Sequence, residues 1–451
     1  MQFSYLHQKR FLHTQIFNMV KLNSINKDSK KKILITVGLL LVCRVLAAIP
    51  TPGVNLTYFK ALLNMNSSFG FYNALSGNGL ESLSLMTLSI TPYITASIVM
   101  QLLGVVFKRI QELQQGMKDD REKLELITII FGGVLAFFQA LAMAIGFGSK
   151  GLLKNFTWYW VIIVAILWTG FAVLSTVIGK MITKRGIGNG ISLILLTNIL
   201  ISYPNDIATL INKFVIGKKI GTQIISAVLL LVLIIFMFAF TYFLQESQKE
   251  ILVNYSGKVQ YGKNKMTNKI PLKLCPGGVV PIIFASTILT TPIMIASLFG
   301  YTDQPVLNLL NSGYWFHPEK PIYSIGAIIY IALIFGFSYF YTNITLNPNE
   351  IADKIKKNGG NISGIRAGKP TAEYLERQMK YMTALGAAAL TIIAMVPIIL
   401  SGVWGIYSIS FLGTSIIITV GVILETKKIL EMELKKDEYH QMVHRGGLFH
   451  G

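Results

Sequence analysis

Apolar residues run along this chain in long blocks, separated by short polar, glycine-rich or lysine-rich stretches, rather than in alternation. Ten blocks stand out, at about residues 33–50, 87–107, 124–147, 158–180, 189–203, 221–243, 278–299, 321–342, 381–401 and 403–424. Most approach or exceed the ~18 apolar residues that read as a membrane-crossing helix; the fifth is the shortest. The pattern predicts an all-α polytopic membrane protein, because a helix satisfies its own backbone where no water is present. One block departs from plain lipid-facing chemistry. Leu88–Gly104 carries Ser89, Thr91, Pro92, Thr95, Ser97 and Gln101, and such groups are costly at membrane depth unless they face another helix or a wet cavity. One side of this helix is therefore not meant for lipid.

The blocks divide into an N-terminal half (33–203) and a C-terminal half (221–424), joined by a predicted hinge loop at 204–220 and flanked by tails 1–32 and 425–451. Each half holds five blocks, so the second enters the membrane from the opposite side, as in the inverted repeats of transport proteins. Between the first two blocks, Phe69-Gly-Phe-Tyr-Asn-Ala-Leu-Ser-Gly-Asn-Gly-Leu80 is too short and too rich in small residues to span. It reads as a re-entrant or surface half-helix, shielded by protein or water. Two connections on one side, 245–276 and 342–380, far exceed the ~2–8 residues that usually join bundle helices. Both read as functional.

The charge pattern fixes an orientation. With 451 residues, 52% hydrophobic and 14% charged, the chain is neither disordered nor an ordinary soluble domain. Of its 41 Lys and Arg, 33 fall in the N-terminus, the connections after even-numbered blocks and the C-terminal tail, and 7 fall on the other side. This is the positive-inside distribution, with both termini cytoplasmic or stromal. The net charge of +20 is thereby explained by topology, without a direct nucleic-acid partner. Lys far outnumbers Arg, and Ile and Asn are abundant, a bias that AT-rich coding produces. It favours a plastid-encoded protein of the thylakoid membrane, with the bacterial plasma membrane as the alternative. The first thirty residues lack a secretory apolar run, are free of acidic residues before Asp28, and contain a second plausible start at Met19.

Catalytic chemistry has little to stand on. Cys43 and Cys275 have no Cys or His neighbour at metal-ligand spacing, and His440 and His444 lack a third ligand. Gly368-Lys369 resembles the end of a phosphate loop, but Ser363 and Pro370 replace the required glycine and hydroxyl. Gly186-Ile-Gly-Asn-Gly190 reads as a tight turn at the membrane surface. Almost no Asp, Glu or His lies inside a block, which argues against proton relays and ion-coupled transport. The reading is therefore a non-enzyme without cofactor or metal. Arg44, deep in the first block, either snorkels to the interface or anchors a polar contact inside the bundle. A ten-span secondary transporter of a small solute is the alternative, but it needs charged or strongly polar groups near mid-membrane.

The motifs Ala48-Ile-Pro-Thr-Pro-Gly53, Ile90-Thr-Pro-Tyr-Ile-Thr-Ala-Ser-Ile-Val-Met-Gln-Leu-Leu103, Arg185-Gly-Ile-Gly-Asn-Gly-Ile-Ser192, Pro281-Ile-Ile-Phe-Ala-Ser286, Gly364-Ile-Arg-Ala-Gly-Lys-Pro-Thr371 and Gly413-Thr-Ser415 resemble the SecY family of protein translocase channels. They keep the family's order and reach from the first block to the tenth. The resemblance implies a clamshell of two five-span halves around a central pore that conducts unfolded preproteins and releases membrane segments sideways into lipid. It implies a plug at about 65–80 and a pore ring of Ile90, Ile94, Leu195, Ile283 and Ile418. It places a lateral gate between the second and seventh spans, at Pro92, Thr95, Ile98, Gln101, Thr287 and Thr291. It also assigns Arg366, Lys369, Lys258, Lys263 and Lys265 to contact with a SecA motor ATPase or the ribosome. A SecE-like single-span subunit is the implied partner, with a SecG-like subunit left open. Departures are Ser89 and Thr91 where the family has Gly and Met, Cys275 for Asn, Ala367 for Pro, Leu195 for Ile, and a more polar seventh span at Thr290-Thr291. Pro92 is expected to weaken its helix where it must bend.

Overall fold

The computed structural model describes residues 27–55, 73, 75–153, 156–216, 220–255, 268–298, 304–316, 321–404 and 412–445. A helix stands at each predicted block. In chain order these are α1 (Lys27–Ala48), α2 (Thr91–Val106), the short α3 (Lys108–Gln115), α4 (Lys118–Phe147), α5 (Trp158–Arg185), α6 (Gly190–Phe214) and α7 (Ile220–Glu246). They continue with α8 (Val280–Leu298), the short α9 (Pro305–Leu310), α10 (Ile325–Thr345), α11 (Pro348–Lys357), α12 (Lys369–Trp404) and α13 (Leu412–Arg445). Six stretches are long and apolar enough to cross a membrane on their own: α4, α5, α6, α7, α10 with its flanks, and α12. The bent pair α2–α3 makes a seventh, and α8 is a shorter apolar helix. Lysines open α1, and α13 runs on into a charged tail, so both are apolar over only part of their length. The chain is an integral, multi-pass membrane protein.

Local chemistry explains the helix ends. Asp119 and Asp120 lie in the first turn of α4, and Lys184 and Arg185 in the last turn of α5, each complementing the helix dipole. Asn189 caps α6 by accepting from the Ile191 amide at 3.2 Å. Gly188 takes a φ of 82°, and a Cβ on Gly190 would run into the Gly179 carbonyl of α5. These glycines make a tight turn, as their spacing predicted.

Two expectations change, one about Pro92 and one about the hinge loop. Pro92 stands in the first turn of α2, where its missing N–H has no helical partner anyway. It starts the helix rather than weakening it, because the chain over 87–90 is turn, not helix. The sharp bend lies at the other end, where α2 and α3 meet at 111°, with Gln114 Nε2 donating to the Met100 carbonyl at 3.1 Å. Pro204 likewise fails to end α6, which continues to Phe214. The predicted hinge loop is therefore largely helix. Leu210 and Phe214 pack on Leu230 of α7, and that burial outweighs one missing backbone bond.

The two long connections fold together. β1 (Gln248–Tyr255) and β2 (Asn268–Lys273) form an antiparallel hairpin, and β3 (Gly360–Ile362) from the second connection pairs with the other edge of β1. Ile251 faces Ile270, and Val253 faces Ile362. Ile251, Val253 and Leu272 sit in one apolar core with Ile355 of α11 and Leu375 and Met379 of α12. A small layered platform thus grows from the adjoining ends of α7, α8, α10 and α12.

Within the membrane region each half has its own core. One centres on α4 and α5, with Trp168 buried and donating its indole N–H to Thr51 Oγ1 at 2.9 Å. The other is built from α7, α8, α10, α12 and α13. A third cluster lies between them and joins α1, α5 and α6 of the first half to α13 of the second.

Candidate functional site

The junction cluster gathers buried residues from Cys43 to Val422, and brings Ile90 beside Ile418 although they lie 328 positions apart in the chain. Ile90, Leu195 and Ile418 are 0%, 5% and 1% exposed and belong to its core. Ile94 and Ile283 pack against it, half-buried. All five sequence-predicted ring residues therefore meet in one place, contributed by the start of α2, by α6, α8 and α13. Leu75 and Met86 of the segment before α2 fill the same cluster. Side chains of this kind hold no charge and donate no proton; what they do is exclude water and ions.

Polar contacts border the cluster. Tyr203 Oη of α6 and Thr419 Oγ1 of α13 are 2.8 Å apart, bridging the halves. Gln245 Nε2, at the end of α7, donates to the Ile417 carbonyl at 2.9 Å. Above the cluster, Arg44 Nη1 donates to Asn198 Oδ1 at 3.0 Å and Nη2 reaches the Gly77 carbonyl at 3.4 Å. Asn198 Nδ2 donates to the Leu75 carbonyl at 2.7 Å and to Ser89 Oγ at 3.1 Å. The two readings of Arg44 are thus decided: it anchors a polar contact inside the bundle. The predicted plug falls at 65–80; positions 65–72 and 74 lie outside the described residues, while 75–80 form a helical turn followed by tight turns.

Among the gate residues, Ile98 and Thr287 are buried and Pro92 is buried at the helix start. The polar side chains of Thr95, Gln101 and Thr291 bond within their own helices. Thr95 donates to the Thr91 carbonyl at 3.2 Å, Thr291 to the Thr287 carbonyl at 2.6 Å, and Gln101 Nε2 to Ser97 Oγ at 3.2 Å. Such internal bonds keep polar groups quiet in lipid. The principal first-half neighbour of α8 is α4 rather than α2, the span that the resemblance implied.

On the platform, Arg366 and Lys369 are exposed. Gly364 and Gly368 flank Arg366 with φ of 78° and 99°, and Thr371 Oγ1 donates to the Arg366 carbonyl at 2.8 Å. The loop backbone is fixed while its guanidinium points into solvent. Lys258, Lys263 and Lys265 lie outside the described residues. Sequence reasoning missed Asn198, Ser202, Tyr203 and Thr419, although a buried amide and hydroxyls recurring along one face of an apolar block were a legible signal.

With this geometry in view, the family model described as SecY matches residues 84–427. The chain belongs to the SecY family. A SecY-family relative named protein translocase subunit SecY, from Bacillus licheniformis, is 36% identical over 425 residues, covering 92% of this chain and 96% of the relative. A solved structure described as "The structure of a protein conducting channel" superposes with a TM-score of 0.62 at 17% identity, covering 91% of this chain and 94% of that one. Another, "Sec61 in the Canine ribosome-channel complex from the endoplasmic reticulum", gives 0.61 at 17% identity, over 91% and 94%. At that identity the likeness establishes the SecY/Sec61 fold, and it extends over nearly the whole chain.

Proposed function

We infer that this SecY-family chain is the channel subunit of a protein translocase, passing unfolded preproteins across a membrane and releasing apolar segments sideways into lipid. One observation carries the reading: Ile90, Ile94, Leu195, Ile283 and Ile418 converge from both halves on one uncharged junction. In this reading they form the constriction, which seals by fitting loosely around any chain and by excluding water. The segment ending at residue 80 is the plug. The lateral gate opens where α2 and α4 face α8, with Pro92, Thr95, Ile98, Gln101, Thr287 and Thr291 along it.

The exposed Arg366 and Lys369, with Lys258, Lys263 and Lys265, form the surface for the partner that supplies the driving force. A ribosome is the first candidate, since a fold neighbour was solved in a ribosome–channel complex; a SecA motor ATPase is the second. A SecE-like single-span subunit completes the assembly. The Lys-, Ile- and Asn-rich composition favours a thylakoid membrane, and the charge asymmetry favours both termini on the stromal or cytoplasmic side.

The test replaces Ile283 or Ile418 by Asn in the reconstituted complex. Each change removes about 2 kcal/mol of apolar burial and puts an amide in the seal. The expected result is a larger resting ion leak and passage of substrates with defective signals. Unchanged leak and unchanged stringency in both variants would refute the ring.

A further inference from the structure

The polar group above the ring is unusual for its depth and for its economy. Asn198 is 4% exposed and stands one turn beyond the ring residue Leu195 on α6, with Ser202 one turn further along the same face. Its amide uses both ends: it accepts from Arg44 of α1, and it donates to the Leu75 carbonyl and to Ser89 Oγ. Ser202 Oγ donates to Asn78 Oδ1 at 3.1 Å. The segment 75–89 is thus tied to α6 at three points and, through the Gly77 carbonyl, to α1.

The contact is close enough to dictate residue type. Gly77 has a φ of 65°, and a Cβ there would lie 2.6 Å from Arg44 Nη1 and 2.8 Å from the Asn198 Cα. Three other residues of the same segment, Asn78, Leu83 and Ser89, hold φ values of 61°, 45° and 46°. Non-glycine residues seldom adopt this region, and they stay there only where the surroundings over-determine it. Two of the three, Asn78 and Ser89, are the ones that receive bonds from α6. The segment is held in a strained shape by the residues it rests on.

We propose that Asn198 is the latch of the closing segment: with Arg44 and Ser202 it pins residues 75–89 over the apolar ring, and so sets how readily the channel opens and how good a signal must be to open it. This rests on the channel reading above. The amide suits the task because it bonds a carbonyl and a hydroxyl without bringing a charge into the pore. Arg44 brings its charge to the oxygen end of that amide and to the Gly77 carbonyl. Opening breaks these bonds, and relaxation of the strained residues offsets part of their loss.

The test uses the complete translocase in proteoliposomes, with Asn198→Ala alone and in combination with a cysteine pair, Asn78→Cys/Ser202→Cys, whose side chains replace atoms 3.1 Å apart. Asn198→Ala is expected to raise resting ion conductance roughly tenfold, equivalent to about 1.4 kcal/mol lost from the closed state, and to admit substrates with defective signals. Oxidising the cysteine pair in the Asn198→Ala background is expected to restore the low conductance, and reduction to release it. A variant that was merely misfolded would not be rescued by that bond. If parent protein translocates but Asn198→Ala leaks no more than it, or if oxidation fails to restore closure, the latch is refuted and the channel reading stands. If parent protein neither translocates nor conducts when opened, the channel reading falls and the latch falls with it.

Discussion

Ser89 shows how one position joins backbone and side-chain chemistry. It stands where the family resemblance implies glycine, and its φ of 46° is a glycine-like conformation. The serine is tolerated because its hydroxyl accepts from Asn198. Ser89→Ala keeps the strain and removes the bond, so it is expected to destabilise the protein by about 1–2 kcal/mol. Ser89→Gly relieves the strain while losing the same bond, and is expected to lie near the parent. Thermal or denaturant unfolding of the purified complex measures both; equal loss in the two variants would show that the conformation carries no strain. Cys275 is buried at the foot of α8, and desolvation pushes its thiol up to about 12. Because the thiolate is the reactive form, slow alkylation is expected at neutral pH. Arg366 offers the opposite case, an exposed side chain on a fixed loop. Arg366→Lys keeps the charge but loses the planar fork of donors, so it is expected to insert normally and lose most of its translocation activity. Full translocation by Arg366→Lys, measured beside membrane insertion, would reduce the loop to an anchor.

At the scale of elements, the platform and the proposed gate are made by packing between distant segments. β1 lies between β2, its neighbour in the same connection, and β3, which arrives from the other. Val253 is fully buried at the centre of that arrangement. Val253→Asp buries an unpaired charge, at an expected cost of about 3 kcal/mol or more. Limited proteolysis should then cut within 245–276 and 342–380 while the helical far-UV signal persists. Uncut loops would mean that the sheet is not what protects them. For the proposed gate, the internal bonds of Thr95 and Gln101 on α2 predict a seam that parts cheaply. A disulfide joining α4 to α8 is expected to halt export and lateral release in folded protein. Normal export from the locked form would place the exit elsewhere.

Across the whole molecule, each half has its own core, and a third apolar cluster joins them, with the Tyr203–Thr419 pair as a polar bridge between the halves. This division suits a body that opens along one junction: each half keeps its own burial as the junction parts. Tyr203→Phe removes one bridge between the halves without changing shape. It is expected to cost about 1 kcal/mol of the closed state, seen as a modest rise in resting conductance. No change would assign the bridge to packing alone.

The helical blocks, the membrane class and the charge asymmetry were legible in the sequence because each depends on composition over a local window. Water is absent along the whole length of a span, so nearly every residue in it reports its environment. The ring residues were named through the family resemblance; periodicity alone does not distinguish an apolar side chain facing lipid from one facing a pore. Tertiary structure decided the rest. Pro92 was expected to weaken its helix and 204–220 to be a loop, yet Pro92 begins a helix and α6 is carried through Pro204 by packing against α7. The three-stranded sheet pairs Val253 with Ile362, more than a hundred residues apart, and non-local pairing leaves no local mark. Arg44 had two equal readings until Asn198 and Gly77 were found beside it. A lone polar group in an apolar block announces that a partner exists, because burying it unpaired is costly. Which partner it meets depends on how the helices are brought together.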